Sequence, residues 1–176
     1  MSRPPRFHQE NWPYFVTSAT RAREPVFEDS RNAEALIETL YTTRDRYSFL
    51  LLAYVVMPDH FHAVIVPAPR NTISQVMRFI KGTYARIYNS SYGLTGPVWQ
   101  SSFYDRIVRN EGGFEDILAY VHENPVRAGM ARAPEEYPYS STFAGRETDL
   151  EAYFLGQAEC LPYGSNAAGS GQDRDE

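Results

Sequence analysis

Two long apolar runs separated by Pro58-Asp59 limit the fold of this chain more than any other feature of its sequence. The runs are YSFLLLAYVVM, residues 47–57, and HFHAVIVP, residues 60–67. Proline and aspartate favour a tight turn, and the runs are rich in the aromatic and β-branched residues that strands prefer. The sequence therefore predicts a β-hairpin, which places an antiparallel sheet at the centre of the domain.

His60 and His62 stand at the start of the second run, although the whole chain has only four histidines. Successive side chains of a strand point to opposite faces, so both imidazoles are expected to project from the same face of the sheet. Two neutral imidazole nitrogens side by side provide half of a metal site. A further ligand has to come from another element.

The other predicted elements place this hairpin in an α+β domain. Apolar periodicity and turn residues predict a strand over residues 14–20, a helix over 29–46, the hairpin, a helix over 72–93, a strand over 101–109, and a helix from about 111 to 123 that Asn124-Pro125 ends. The order β-α-β-β-α-β is that of the split βαβ, ferredoxin-like antiparallel sheet with helices on one face, here with one additional helix.

The acidic residues are concentrated towards the C-terminus. Residues 134–176 contain nine acidic and two basic residues, whereas residues 1–133 contain thirteen acidic and fifteen basic residues. The two parts carry net charges of −7 and +2 within a total of −5. We expect a folded domain over residues 1–145 and an acidic, partly disordered tail over residues 146–176.

Hydropathy and cysteine content indicate the compartment. No apolar run approaches the roughly eighteen residues that a membrane span needs, and the N-terminal sequence lacks the apolar core of a signal peptide. Cys160 is the only cysteine, which excludes an intramolecular disulfide and a CxxC zinc site. We therefore expect a cytoplasmic protein with no membrane partner.

Basic and aromatic residues are interleaved through residues 70–109, where six basic residues accompany one acidic residue, Asp105. Such a pattern suits single-stranded nucleic acid, because phosphates meet arginines while bases stack on rings. The alternative is a solvated helix face beside core aromatics, and Trp99 in particular could either stack on a base or close the core. The DNA-binding candidates are Arg78, Lys81, Arg86, Trp99 and Arg106.

Tyr120 and Asn124 stand four residues apart in the last predicted helix, so they lie on one side of it. A phenol that can act as a nucleophile and an amide oxygen that can bind a metal would be presented together. The alternative is that Tyr120 is a packing residue and that Asn124-Pro125 is only a helix stop.

Four motifs resemble those of the REP-associated tyrosine transposases, the domesticated branch of the bacterial single-tyrosine HUH transposases. They occur in the family's order and spacing between about residues 10 and 145: MPDHFHAVIVP, SQVMRFIKGTYARIYN, GPVWQSSFYDRIVRN and LAYVHENPVRAGM. The resemblance implies that residues 1–145 form an HUH endonuclease-like catalytic domain whose additional helix carries the nucleophile.

The resemblance also implies the roles of individual residues. His60 and His62 would bind a divalent metal, Mg²⁺ or Mn²⁺. Asn124 would be the third metal ligand, and Tyr120 would be the nucleophile. Many members of the family read YIELNPVRAG, whereas this chain has His122 and Glu123 between the tyrosine and the asparagine. Glu123 is therefore a competing candidate for the third ligand.

The implied function is that of a metal-dependent single-strand DNA endonuclease, acting as a monomer or homodimer. It would cleave and rejoin hairpin-containing, REP-like DNA through a 5′-phosphotyrosine. Two other classes stay open. A non-catalytic DNA- or RNA-binding module on an RRM-like sheet would show aromatics on its central strands, where this chain has HFH. A small zinc hydrolase would need a further protein ligand and a base.

Overall fold

The computed structural model describes residues 12–159, with side chains described up to residue 156. In chain order, the strands and helices are β1 Tyr14–Ala19, α1 Ser30–Tyr47, β2 Leu50–Met57, β3 His60–Val66, α2 Ile73–Tyr92, β4 Tyr104–Ile107, α3 Glu111–Arg127 and α4 Leu150–Glu159. The four strands form an antiparallel sheet in the order β2-β3-β1-β4. The predicted α+β fold of the split βαβ type is confirmed.

The predicted hairpin forms, with Pro58 and Asp59 as its turn. β2 and β3 pair along their lengths, with one irregularity near the start of β2. All but the first residue of each strand are buried. A strand that is covered on both faces reads as a continuous apolar run, because neither set of alternate side chains meets water.

Helices cover both faces of the sheet. α1 and α2 pack on one face, where the core includes Phe61 and Tyr84. α3 packs on the other face, where Phe114 and Val121 meet the alternate residues of β2 and β3. The two helices of the ferredoxin-like unit thus share one face as predicted, and the additional helix covers the opposite one.

The C-terminal end of α1 fixes where β2 begins. α1 starts after its N-cap Asp29, whose carboxylate accepts a hydrogen bond from the backbone N–H of Arg31 at 2.9 Å. It ends at Ser48, which has the left-handed φ of 56°. The helix therefore includes Tyr47, and β2 begins at Leu50 and not at residue 47 as the sequence predicted.

The prediction that Asn124-Pro125 ends α3 is wrong, because the helix continues to Arg127 with Pro125 inside it. Pro125 is buried and has no N–H, so the carbonyl one turn earlier lacks its usual donor. Helical hydrogen bonding resumes after the proline, where the backbone N–H of Ala128 donates to the Asn124 carbonyl at 3.0 Å. Asn124 therefore stays on the helix, one turn after Tyr120.

The chain after α3 returns to the outer edge of the sheet. The backbone N–H of Val56 donates to the carbonyl of Tyr139 at 2.9 Å. Further along the same strand, the N–H of Leu51 donates to the carboxylate of Asp149 at 2.8 Å. Residues 139–149 therefore cover the edge of β2 that would otherwise present unpaired backbone groups.

α4 occupies the first part of the predicted acidic tail. Leu150 and Tyr153 of this helix pack against the same sheet face as α3, so this part of the tail is helical. The remainder of the predicted tail, residues 160–176 with Cys160, lies outside the described residues, as do residues 1–11. Within the described part of the chain, none of the helices is both long and apolar enough to cross a membrane.

Candidate active site

His60 and His62 project from the sheet face that α3 covers. Their ring centroids lie 4.8 Å apart, as expected for two side chains that alternate along one strand. His62 is buried, with 4% of its surface exposed, whereas His60 lies at the open end of β3 beside the turn and is part-exposed. One imidazole of the pair is therefore buried, and the other is accessible to solvent.

Each imidazole has its Nδ1 atom engaged by a neighbouring side chain. His60 Nδ1 lies 2.5 Å from the Asp59 carboxylate, and His62 Nδ1 lies 2.7 Å from the Thr17 hydroxyl. A carboxylate only accepts hydrogen bonds, so His60 Nδ1 is the donor in this contact and Nε2 is the nitrogen left to face a metal. Such a contact is the usual way in which a metal-binding histidine is oriented.

The charge states of this group suit metal binding. Burial, together with the smaller effects of the neighbouring charges of His60 and Arg23, lowers the pKa of His62 to about 3. Burial would raise the pKa of Asp59, but the hydrogen bond from His60 and the charge of Arg23 lower it overall. At neutral pH His62 is therefore an uncharged imidazole and Asp59 is an anion.

The turn before β3 is held by residues that the sequence did not single out. Arg23 donates to the Asp59 carboxylate at 3.2 Å. The N–H of Thr20 donates to the carbonyl of Asp59 at 2.9 Å, and the Thr20 hydroxyl donates to the same oxygen at 3.0 Å. Ala22 and Arg23 both have left-handed φ values, 53° and 59°, which are uncommon for residues with a Cβ. Strained backbone thus places the Arg23 side chain beside Asp59.

Tyr120 lies directly against the buried histidine. Its ring centroid is 5.4 Å from that of His62 and 5.7 Å from that of Phe15, and Phe15 itself stacks on His62 at 5.4 Å. Tyr120 remains 39% exposed, and its hydroxyl forms no hydrogen bond with any residue that the structure describes. The phenol is therefore accessible to a ligand while its ring is fixed by two neighbours.

The two candidates for the third ligand differ in their surroundings. The Glu123 carboxylate accepts hydrogen bonds from Arg127, one turn along α3, at 2.7 and 3.2 Å. The Arg127 guanidinium also lies 5.7 Å from the centroid of the Tyr120 ring. Asn124 is half-buried, and its side-chain amide has no hydrogen-bond partner among residues 12–159. Asn124 thus has its amide oxygen available, whereas Glu123 is already paired.

Two oriented imidazoles and an unengaged amide oxygen could together hold a divalent cation, but they do not provide the four cysteine or histidine ligands of a structural zinc site. Among the described residues, no group of three or more His, Cys, Asp or Glu side chains could hold a metal. A zinc hydrolase would need such a group, so the described part of the chain does not support that alternative.

The predicted DNA-binding residues are divided between the two faces of the sheet. Arg78 and Arg86 are exposed on α2, on the face opposite the histidines. Arg106 is exposed on β4 and lies across from Phe15, so it shares the face of the histidines. The structure therefore brings only Arg106 to the same side as Tyr120.

Of the two predicted alternatives for Trp99, the structure shows the one in the core, and Lys81 also has a role in the fold. Trp99 is only 6% exposed and packs among Phe27, Phe61 and Tyr84, so it closes the core and does not offer a face to a base. Its indole N–H donates to the carbonyl of Lys81 at 3.0 Å. The Lys81 ammonium in turn donates to two carbonyls of the loop before β4, at 2.8 and 3.1 Å.

His122 of α3 is half-buried and lies 3.2 Å from the hydroxyl of Ser141. Burial lowers the pKa of His122, and the charge of Glu135 opposes this only in part. Its contact is with the segment that covers the sheet edge, so it stabilises the fold on the far side of α3 from Tyr120.

The sequence of this chain is similar to those of known proteins. The family described as "Transposase IS200 like" matches residues 8–124, a range that ends at Asn124. The chain is 27% identical over 123 residues to a Haemophilus influenzae protein assigned to the REP-associated tyrosine transposases, covering 63% of this chain and 68% of that one. It is 25% identical over 142 residues to a REP-associated tyrosine transposase of Escherichia coli K12, covering 80% and 82%.

The fold is also similar to a solved structure of a REP-associated tyrosine transposase bound to a REP hairpin. The TM-score is 0.68, and the match covers 99% of this chain and 95% of that one. Sequence identity is 22%, so this likeness concerns the fold.

Proposed function

Because the chain belongs to the IS200-like transposase family, we propose that it cleaves and rejoins single-stranded DNA beside a hairpin, with Tyr120 as the nucleophile. The resemblance of its motifs to those of the REP-associated tyrosine transposases agrees with its relatives. The observation that carries the proposal is the contact between the rings of Tyr120 and His62. A binding module without catalysis would have no use for an accessible phenol at a pair of oriented histidines.

Mg²⁺ or Mn²⁺ is the proposed cofactor, with His60, His62 and Asn124 as its ligands. When bound, the ion polarises the scissile phosphate and offsets the negative charge that develops on its oxygens. Both ions prefer oxygen ligands, so two imidazoles give a modest affinity. The neutral state of His62 and the hydrogen bonds at both Nδ1 atoms support this assignment.

Tyr120 forms the covalent bond in the proposed reaction. Its phenolic oxygen attacks the phosphorus, and the bond from phosphorus to the 3′-oxygen of the preceding nucleotide breaks. The phenolic proton passes to water, because the residue is 39% exposed. The leaving oxygen takes a proton from solvent and becomes a free 3′-hydroxyl, while the strand's 5′-phosphate stays on Tyr120. Another 3′-hydroxyl can then attack this ester and rejoin a strand without ATP.

Hairpin-containing DNA is the proposed substrate. The similar solved structure contains a REP-associated tyrosine transposase bound to a REP hairpin, and two relatives carry the same family name. The family resemblance implies a single-strand endonuclease, so cleavage is proposed in the single strand next to the hairpin and not within its stem.

A cleavage assay paired with a binding assay tests this function. Labelled hairpin oligonucleotides with single-stranded flanks are incubated with Mn²⁺ or with EDTA, using the wild type and His60→Ala. We expect cleavage only by the wild type with Mn²⁺, while His60→Ala still binds the hairpin, because the metal acts on one phosphate and does not grip the strand. Cleavage in EDTA, or undiminished cleavage by His60→Ala, would contradict the proposal.

A further inference from the structure

Tyr104 is a large aromatic residue exposed on the open part of the sheet, with 57% of its surface accessible. It lies on β4, an edge strand. In the strand register, Thr17 of β1 lies opposite both Tyr104 and His62. These three residues form one row across the sheet, and residues paired in this way project from the same face. Two strand spacings, about 10 Å, therefore separate the backbone of Tyr104 from that of His62.

Phe15 connects Tyr104 to the candidate active site. The ring of Phe15 meets Tyr104 edge-on at 6.2 Å, and the same ring contacts Tyr120 and His62. Tyr104 is thus held from one side by a buried ring, while more than half of its own surface faces solvent. No packing requirement of the described fold explains a tyrosine left open at this place.

Arg106 supplies a positive charge beside Tyr104. It lies two residues along β4 and across from Phe15, so it shares the face of Tyr104. Arg106 is exposed and forms no ion pair with a described residue. Asp105, between the two, pairs with Val16 and belongs to the opposite face. An aromatic ring and a guanidinium that forms no ion pair with the described residues therefore stand next to each other on the side of the nucleophile.

We propose that Tyr104 and Arg106 bind the unpaired nucleotide next to the scissile phosphate, with its base stacked on Tyr104 and its phosphate held by Arg106. The inference rests on the proposed function, which places that phosphate at Tyr120. Bases stack on aromatic rings with little regard to sequence, and arginine pairs with backbone phosphates. Tyr104 thus fixes how the single strand approaches the nucleophile and takes no part in the covalent chemistry.

Binding measured in EDTA tests this subsite separately from cleavage. Fluorescence anisotropy compares a hairpin that has a single-stranded flank with the same hairpin without a flank. We expect Tyr104→Ala to weaken binding of the flanked hairpin about fivefold or more and to leave the unflanked hairpin unaffected. Tyr104→Phe keeps the ring and should bind like the wild type. Tyr92→Ala is the matched control, because Tyr92 is an exposed aromatic on α2 at the opposite face.

A fluorescent base reports the stacking directly. With 2-aminopurine on either side of the cleaved bond, the wild type and Tyr104→Phe should quench the fluorescence at one position, and Tyr104→Ala should not. Unchanged binding and quenching in Tyr104→Ala, with an unchanged melting temperature, would overturn the subsite while leaving cleavage by Tyr120 intact. Quenching by Tyr104 without any cleavage by the wild type would instead overturn the proposed function alone.

Discussion

The orientation of each histidine depends on one neighbouring side chain. Asp59 contacts His60, and Thr17 contacts His62 from the adjacent strand. The HFH sequence predicted that the two histidines project from the same face, because residues two apart on a strand share a face whatever the rest of the fold is. It could not predict Thr17, because the pairing of β1 with β3 is decided by the packing of the whole sheet.

We predict that Asp59→Ala weakens Mn²⁺ binding about 10-fold to 100-fold, because His60 loses the acceptor that fixes its tautomer. Asp59→Asn keeps an oxygen acceptor and should recover much of the affinity. Titration calorimetry, with free Mn²⁺ followed by electron paramagnetic resonance, measures the change without any DNA. Asp45→Ala is the control, since Asp45 also pairs with an arginine but lies far along α1. Equal affinity of Asp59→Ala and the wild type would show that Asp59 does not orient a ligand.

The third ligand is tested by a second pair of variants. We predict that Asn124→Ala loses Mn²⁺ affinity, because its unengaged amide supplies the ligand, and that Glu123→Gln retains it, because the Glu123 carboxylate is held by Arg127. The same titration distinguishes them. Loss of Mn²⁺ affinity in Glu123→Gln, with the affinity retained in Asn124→Ala, would assign the third ligand to Glu123.

At the level of whole elements, α3 positions both the nucleophile and the third ligand. Its N-terminus is fixed by the side chain of Asn110, which accepts a hydrogen bond from the N–H of Gly113 at 2.7 Å. A Cβ added at Gly113 would lie 2.7 Å from that same oxygen, whereas a Cβ at Gly112 would meet nothing within 4 Å. A side chain at position 112 would therefore be tolerated, whereas one at position 113 would clash with the helix cap.

We predict that Gly112→Ala stabilises the protein by about 0.5–1 kcal/mol, as expected for alanine in a helix. Gly113→Ala should be about 1 kcal/mol less stable than Gly112→Ala, because its added Cβ displaces the side chain of the N-cap Asn110. Thermal and denaturant unfolding measure both variants. In an Asn110→Ala background the difference between them should disappear. A difference that persists without Asn110 would show that the cap is not its cause.

The elements themselves were largely predictable, and their ends were not. The hairpin and the order of strands and helices follow from continuous apolar runs and from periodicity. The continuation of α3 through Pro125 was missed because a proline usually ends a helix, and only its burial against the sheet outweighs that preference. β4 spans Tyr104–Ile107 and not residues 101–109, and two carbonyls of the preceding loop bond to the Lys81 ammonium instead of extending the strand. α4 was missed because acidic composition was taken as a sign of disorder.

Over the whole molecule, positively charged side chains lie on both faces of the sheet. The salt dependence of DNA binding, measured in variants of each face, tests whether that face contacts DNA. We predict that Arg78→Ala weakens DNA binding about equally for any sequence and reduces the slope of log affinity against log salt by about one unit. Lys81→Ala should instead lower the melting temperature, because its ammonium bonds to two loop carbonyls. Anisotropy across a salt series and thermal melting separate the two effects. An unchanged slope for Arg78→Ala would restrict DNA to the face of Tyr120.

The central claim, that Tyr120 becomes covalently joined to DNA, is tested most directly by locating the modified residue. The tryptic peptide of residues 110–127 contains Tyr120 as its only tyrosine. After reaction of the wild type with a flanked hairpin and Mn²⁺, and nuclease trimming, mass spectrometry should find a 5′-linked nucleotide on this peptide. Tyr120→Phe should give no adduct. An adduct on another tyrosine, or one that persists in Tyr120→Phe, would contradict the account.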